Sequence, residues 1–139
     1  MRIMAIDLGD RRVGLALSDP GGIIAAPLRV LDRKEAGWRE LLRTVIEENS
    51  VAEIVVGLPK NMDGTVGVQG HRCEKFAHEL ETSTGLKVHL LDERLTSVAA
   101  SAALREGGKK SKNTKTTLDA VAASLILQMF LERRRNGGA

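Results

Sequence analysis

Apolar and polar positions along the chain follow two periods, one near 2 and one near 3.6, and their alternation sets out the elements. Residues 2–7 and 12–18 are apolar runs joined by a glycine-containing turn, the pattern of a β-hairpin. Residues 23–30, after Pro20-Gly21-Gly22, predict a third strand. Over 35–49, Trp38, Leu41, Leu42, Val45 and Ile46 recur at i, i+3, i+4 spacing, which predicts an amphipathic helix. Glu53-Ile54-Val55-Val56-Gly57 is a short, nearly continuous apolar run of the buried parallel kind. Residues 66–83 predict a helix ending before Gly85, and Lys87–Leu91 a fifth strand. A short helix is expected over about 97–105, stopped by Gly107 and Gly108, and a last one from about Thr117 to Arg134. An antiparallel meander followed by strand–helix crossovers predicts an α/β fold, a five-stranded mixed sheet with helices on both faces. Loops at the carboxyl ends of the crossover strands gather on one edge of such a sheet. Asp7, the Gly57–Thr65 loop and Glu93 are expected there.

Length and composition narrow the class. The 139 residues fit one domain, 1–139. A chain of this size buries roughly 68–70% of its unfolded surface, enough for a core without staples. No segment approaches the apolar length of a membrane span, and Asp7 interrupts the N-terminal apolar stretch too early for a signal peptide. The single cysteine, Cys73, has no internal disulfide partner, which is compatible with a cytoplasmic location. Trp38, Phe76 and Phe130 are the only aromatic residues besides histidine, too few for a module that grips single strands by stacking bases.

The formal charge is only +3, but it is unevenly spread. Residues 105–117 carry a net +4 through Arg105, Lys109, Lys110, Lys112 and Lys115 against Glu106. The tail carries +2, and the remainder of the chain −3. Concentrated positive charge is a footprint that a phosphate backbone would read; a solvated loop is the bland alternative at roughly even odds.

Three acidic positions stand against that basic segment. Asp7 ends the first buried strand pattern, where a carboxylate costs hydration energy unless its charge is used. A second acidic strand tip is Asp92-Glu93; neighbours on a strand face opposite sides, so one of the two points at the site while the other caps or pairs. Asp119 is expected in the first turn of the last helix, where the macrodipole alone could account for it, yet it sits on or beside the apolar face. Converging carboxylates repel unless a cation lies between them, and Mg²⁺ or Mn²⁺ takes such oxygen ligands. In the Gly57–Thr65 loop, Asn61 can donate to a phosphate or a base, and Asp63-Gly64 forms a turn. His71, His78 and His89 lack metal-ligand spacing. Three acids for a metal beside a basic segment for a polyanion point to a metal-dependent nuclease.

Four ordered motifs carry a resemblance. They are Asp7-Leu-Gly-Asp-Arg-Arg-Val-Gly14 with Ser18-Asp19; Val55-Val56-Gly57-Leu58-Pro59 with Asn61-Met62-Asp63-Gly64-Thr65; Asp92-Glu93-Arg94-Leu95-Thr96; and Leu118-Asp119 with Ala122-Ala123 and Ile126-Leu127-Gln128. Together they resemble the YqgF/RuvX family over nearly the whole chain. These proteins have an RNase H-like fold and are described as Holliday-junction resolvases or pre-16S rRNA nucleases. The resemblance implies an active site of Asp7, Glu93 and Asp119, with Glu93 preferred to Asp92; a site for two ions, Mg²⁺ or Mn²⁺, is expected there. It implies that the basic segment, about 107–116, is a mobile loop beside that site, and residues 135–139 are expected to be a tail. Arg11, Asn61, Arg94, Lys109, Lys110, Lys112 and Lys115 are expected to bind nucleic acid. Arg11 departs from the Lys that the family commonly has there, with charge kept. The expected activity is phosphodiester cleavage at the 5′ end of pre-16S rRNA. Alternatives are resolution of four-way DNA, which would be expected to need a dimer, and a non-catalytic RNA-binding role in ribosome assembly. A monomer or weak homodimer is expected, because no unpaired apolar stripe announces an interface.

Overall fold

The computed structural model describes residues 1–96 and 112–137, with the side chains of 112–117 left out. Its elements are β1 (Arg2–Leu8), β2 (Arg12–Ser18), β3 (Ala25–Asp32), α1 (Trp38–Glu48), β4 (Val51–Leu58), α2 (Val68–Thr84), β5 (Lys87–Asp92), a 3₁₀ turn (Glu93–Leu95) and α3 (Lys112–Arg135). The strands form one sheet in the order β3-β2-β1-β4-β5. β1 lies at its centre, antiparallel to β2 and parallel to β4, so the meander and the crossover half of the sheet meet on this strand.

Alternation along the strands divides the core into two layers. Met4, Ile6, Val13, Leu15, Ile54 and Val56 face α1 and α2, where they meet Leu42, Val45, Ile46, Phe76 and Leu80. Ile3, Ala5, Ala16 and Val55 face α3, meeting Ala122, Ala123, Ile126 and Leu127. Alanines on both sides of this second layer let the α3 backbone lie close to the sheet. The expected mixed α/β sheet with helices on both faces is the observed fold. Among the described residues no helix is long and apolar enough to cross a membrane.

Two of the boundaries that differ from expectation have a visible cause or consequence. The third strand begins at Ala25, not residue 23, because one carboxylate oxygen of Asp19 accepts the N–H groups of both Ile23 (2.7 Å) and Ile24 (2.8 Å) and holds them in the turn. The last helix begins at Lys112, not Thr117, so its backbone takes up part of the segment expected as a loop over 107–116. Asp119 therefore sits about two turns inside α3 and not in its first turn. The expected helix over about 97–105 lies outside the described residues.

Candidate active site

Asp7 and Asp119 are both buried, 9% and 7% exposed, and with Ser18 they are the buried polar or charged side chains of the described core. Their meeting depends on Gly14. Asp7 on β1 pairs with Gly14 on β2, and the α3 backbone rests directly on that glycine. A Cβ at Gly14 would run into the Asp119 carbonyl oxygen. The missing side chain lets the helix come down onto the sheet and brings Asp119 beside Asp7.

A second glycine does the same on the other flank. Gly57 on β4 lies one residue past the Ile6–Val56 pair and is itself paired with Leu91 on β5. A Cβ there would stand 2.5 Å from Glu93 Oε1 and 2.6 Å from Ile126 Cδ1. Glu93 thus folds back over Gly57, the strand neighbour of Asp7. The structure gathers Asp7, Glu93 and Asp119 at the carboxyl edge of the sheet, on the face covered by α3.

Asp92 is engaged elsewhere. It accepts the Arg94 N–H at 2.9 Å, capping the 3₁₀ turn, and its carboxylate meets the Arg94 guanidinium at 2.8–3.1 Å. Those bonds hold its carboxyl below the usual range. The same turn sends the adjacent Glu93 toward Gly57.

Asp119 has a partner that the sequence pattern does not announce. Arg12 donates from Nε to Asp119 Oδ2 at 2.5 Å, its side chain 30% exposed against 10% for the acid. Strand parity was the available signal: Arg12, Gly14 and Ala16 share one face of β2, the face that α3 covers. Arg11, the expected phosphate ligand, lies exposed in the hairpin turn, where its carbonyl accepts from Arg33 N at 2.7 Å. Asn61 spends its side-chain amide on Thr65 Oγ1 (2.9 Å). Two bonds from Thr65 hold the Asp63 carboxyl below its usual range in that same loop. Arg94 reaches Met62 O at 3.5 Å as well as Asp92, tying this loop to the end of β5. Lys112 and Lys115 lie on the first turns of α3, and Lys109 and Lys110 fall outside the described residues.

Cys73, on α2, packs against the other face of the sheet. Burial, followed by the negative charges of Glu93 and Asp7, pushes its thiol up to about 12, so it is no nucleophile at neutral pH.

Oxygen donors of this kind suit Mg²⁺ or Mn²⁺, and the two glycines leave the space they need. Among the described residues, however, no group of three or more His, Cys, Asp or Glu is arranged to hold a metal ion.

Residues 1–133 match the family model described as RuvX, Holliday junction resolvase. A protein of Lachnospira eligens is 48% identical, over 97% of this chain and 99% of that protein. One from Koribacter versatilis is 47% identical over 96% and 88%, and one from Moorella thermoacetica 41% over 99% of each. All three are named "Putative pre-16S rRNA nuclease". Among solved structures, Thermus thermophilus RuvC in complex with a Holliday junction substrate superposes with a TM-score of 0.56 at 16% identity, covering 100% of this chain and 98% of that one. The fowlpox virus Holliday junction resolvase gives 0.52 at 14% identity, covering 95% and 99%. At these identities the likeness is one of fold, that of the RNase H-like resolvases.

Proposed function

Because this chain belongs to the RuvX family of Holliday junction resolvases, we propose that it is a divalent-metal-dependent nuclease whose substrate is the 5′ region of precursor 16S rRNA. The observation that carries this reading is the placement of two buried acids, Asp7 and Asp119, across Gly14, with Glu93 folded over Gly57 beside them. A fold with no catalytic use for these groups would gain nothing by bringing buried carboxylates together.

Asp7, Glu93 and Asp119 would hold the metal. A divalent ion held there would supply Lewis acidity toward a phosphoryl oxygen and stabilisation of the charge that develops in cleavage. The chain's own contribution is placement. Asp7 is fixed by the β1–β2 register, Asp119 by the descent of α3 onto Gly14, and Glu93 by the turn that Asp92 caps. Arg11 and the lysines of 109–115 would neutralise flanking phosphates, so affinity should fall steeply with salt.

RNA is preferred because relatives at 41–48% identity over nearly the whole chain carry the pre-16S rRNA name. The family description favours a second reading, resolution of four-way DNA. Purified protein is offered both substrates with Mn²⁺ or Mg²⁺, wild type beside D7N. Cleavage of the RNA by wild type alone supports the proposal. Paired symmetric nicks in the junction would move it to resolution. Binding of RNA that persists in chelator, with no cleavage, would replace it with a non-catalytic role in ribosome assembly.

A further inference from the structure

We infer that Arg12 is a positioning residue that competes with a divalent cation for Asp119. The inference rests on the metal-dependent reading above and concerns a candidate ligand that the structure shows ion-paired to an arginine. Arg12 starts β2, two residues before the glycine on which α3 rests, and its side chain lies on the α3 face. Its Nε meets Asp119 Oδ2 at 2.5 Å, with the acid only 10% exposed. A guanidinium at that distance satisfies a buried carboxylate and places a unit positive charge beside it.

The ion pair bears on folding and on metal loading. In folding, Arg12 allows a buried acid to be tolerated on α3 before any ion arrives. In loading, a cation entering between Asp7, Glu93 and Asp119 meets the Arg12 charge at short range, and must share the carboxylate with the guanidinium or displace it. A displaced Arg12 would remain at the rim of the site, where its charge suits a phosphate oxygen.

The adjacent arginines offer a built-in control. Arg11 carries the same charge one residue away but lies exposed in the hairpin turn. Neutralising Arg11 reports how far a neighbouring but exposed charge repels cations, whereas contact competition at Asp119 belongs to Arg12.

The test is a Mn²⁺ titration of wild type, R12Q, R12K and R11Q, followed by calorimetry or by the electron paramagnetic resonance of free Mn²⁺, with unfolding recorded in chelator and in Mn²⁺. R12Q should bind Mn²⁺ about tenfold more tightly than wild type. It should melt lower in chelator and gain more from added Mn²⁺. R12K, which keeps the charge but not the Nε contact, should tighten by a smaller factor, about threefold. R11Q should stay within about twofold of wild type. If R12Q does not fold in chelator, R12K carries the test, and a Mn²⁺ affinity equal to or weaker than wild type in it overturns the inference. Unchanged or weakened Mn²⁺ affinity in a folded R12Q overturns it too, leaving the nuclease reading intact if wild type still cleaves. If no variant binds Mn²⁺, the inference and the metal-dependent reading fall together.

Discussion

Among the described residues, α3 is ion-paired to the sheet toward each of its ends, and the two pairs are built differently. Toward the carboxyl end, Arg134 grips Glu53 through two nitrogens at 2.7 and 2.9 Å, His89 Nε2 adds a contact at 3.0 Å, and the guanidinium lies 4.8 Å from the Phe130 ring centroid. Glu53 stands near the start of β4, across from Ile3, at the opposite end of the strands from Asp7. Arg12 instead meets Asp119 through Nε at 2.5 Å, in the patch of acids where the strands end. The first pair saturates a carboxylate, and the Arg134 bonds hold it down to about 2. The second sits where a cation could exchange with the arginine. One chemistry thus serves as a fastener at one end of a helix and, on our reading, as an exchangeable counter-ion at the other.

The two ends of α3 should differ most in their effect on activity. D7N should lower cleavage at least about a hundredfold, about 2.7 kcal/mol of barrier, because it neutralises the carboxylate that the proposed function assigns to holding the metal. E53Q should leave cleavage within about twofold, since Glu53 lies at the far end of the strands. Single-turnover rates of both variants on one RNA decide it. An inactive but folded E53Q, or an active D7N, would remove the contrast between the two ends.

Gly14 and Gly57 differ in the stiffness of what surrounds them. A methyl group at Gly14 meets the backbone of α3 at Asp119, which cannot yield without lifting the helix. G14A should cost about 3 kcal/mol in stability. At Gly57 the obstacles are the ends of two side chains, Glu93 Oε1 at 2.5 Å and Ile126 Cδ1 at 2.6 Å. G57A should cost about 1 kcal/mol while displacing Glu93, so cleavage should fall about tenfold in a protein that still folds. Urea unfolding and cleavage rates for the pair separate the effects. Equal stability losses would mean that α3 is not braced on Gly14.

Much of this arrangement was legible in the chain. Alternating apolar positions fixed which residues of β1, β2 and β4 face each layer, because a one-residue slip would turn Ile6 and Val56 out of the core. Asp7 and the Asp92-Glu93 pair were visible as polar ends of buried patterns, whereas Asp119 was read in the first turn of a helix and Glu93 was preferred to Asp92 only through the family resemblance. The start of α3 was not legible, since Lys112–Thr117 has no apolar period to mark it as helix. Nor was the turn that ends at Ala25, where a single carboxylate, Asp19, overrides the strand propensity of Ile23 and Ile24. Arg12 was not legible either, because charge clusters draw attention to exposed residues. Its importance comes from a helix far along the chain, with the contact spanning 107 residues.

The smallest expected effect concerns the fastening end alone. Glu53 is held down to about 2 in the folded protein, first by Arg134 and then by His89, against an ordinary value of 4.5. A carboxyl depressed on folding stabilises the protein above its unfolded value, and that stabilisation fades as pH falls toward the folded one. The window is therefore about pH 4.5 down to about 2. Both side chains keep some exposure, 37% for Arg134 and 20% for Glu53, so the pair should contribute about 1–2 kcal/mol at neutral pH. Comparing wild type with E53Q across that range cancels every other titrating carboxylate. The difference in unfolding free energy should shrink toward zero as pH falls from about 4.5 to about 2. A difference that persists unchanged to the acid end would mean that Glu53 acts by packing and neutral hydrogen bonds. The charge contrast between the two ends of α3 would then rest on Asp119 alone.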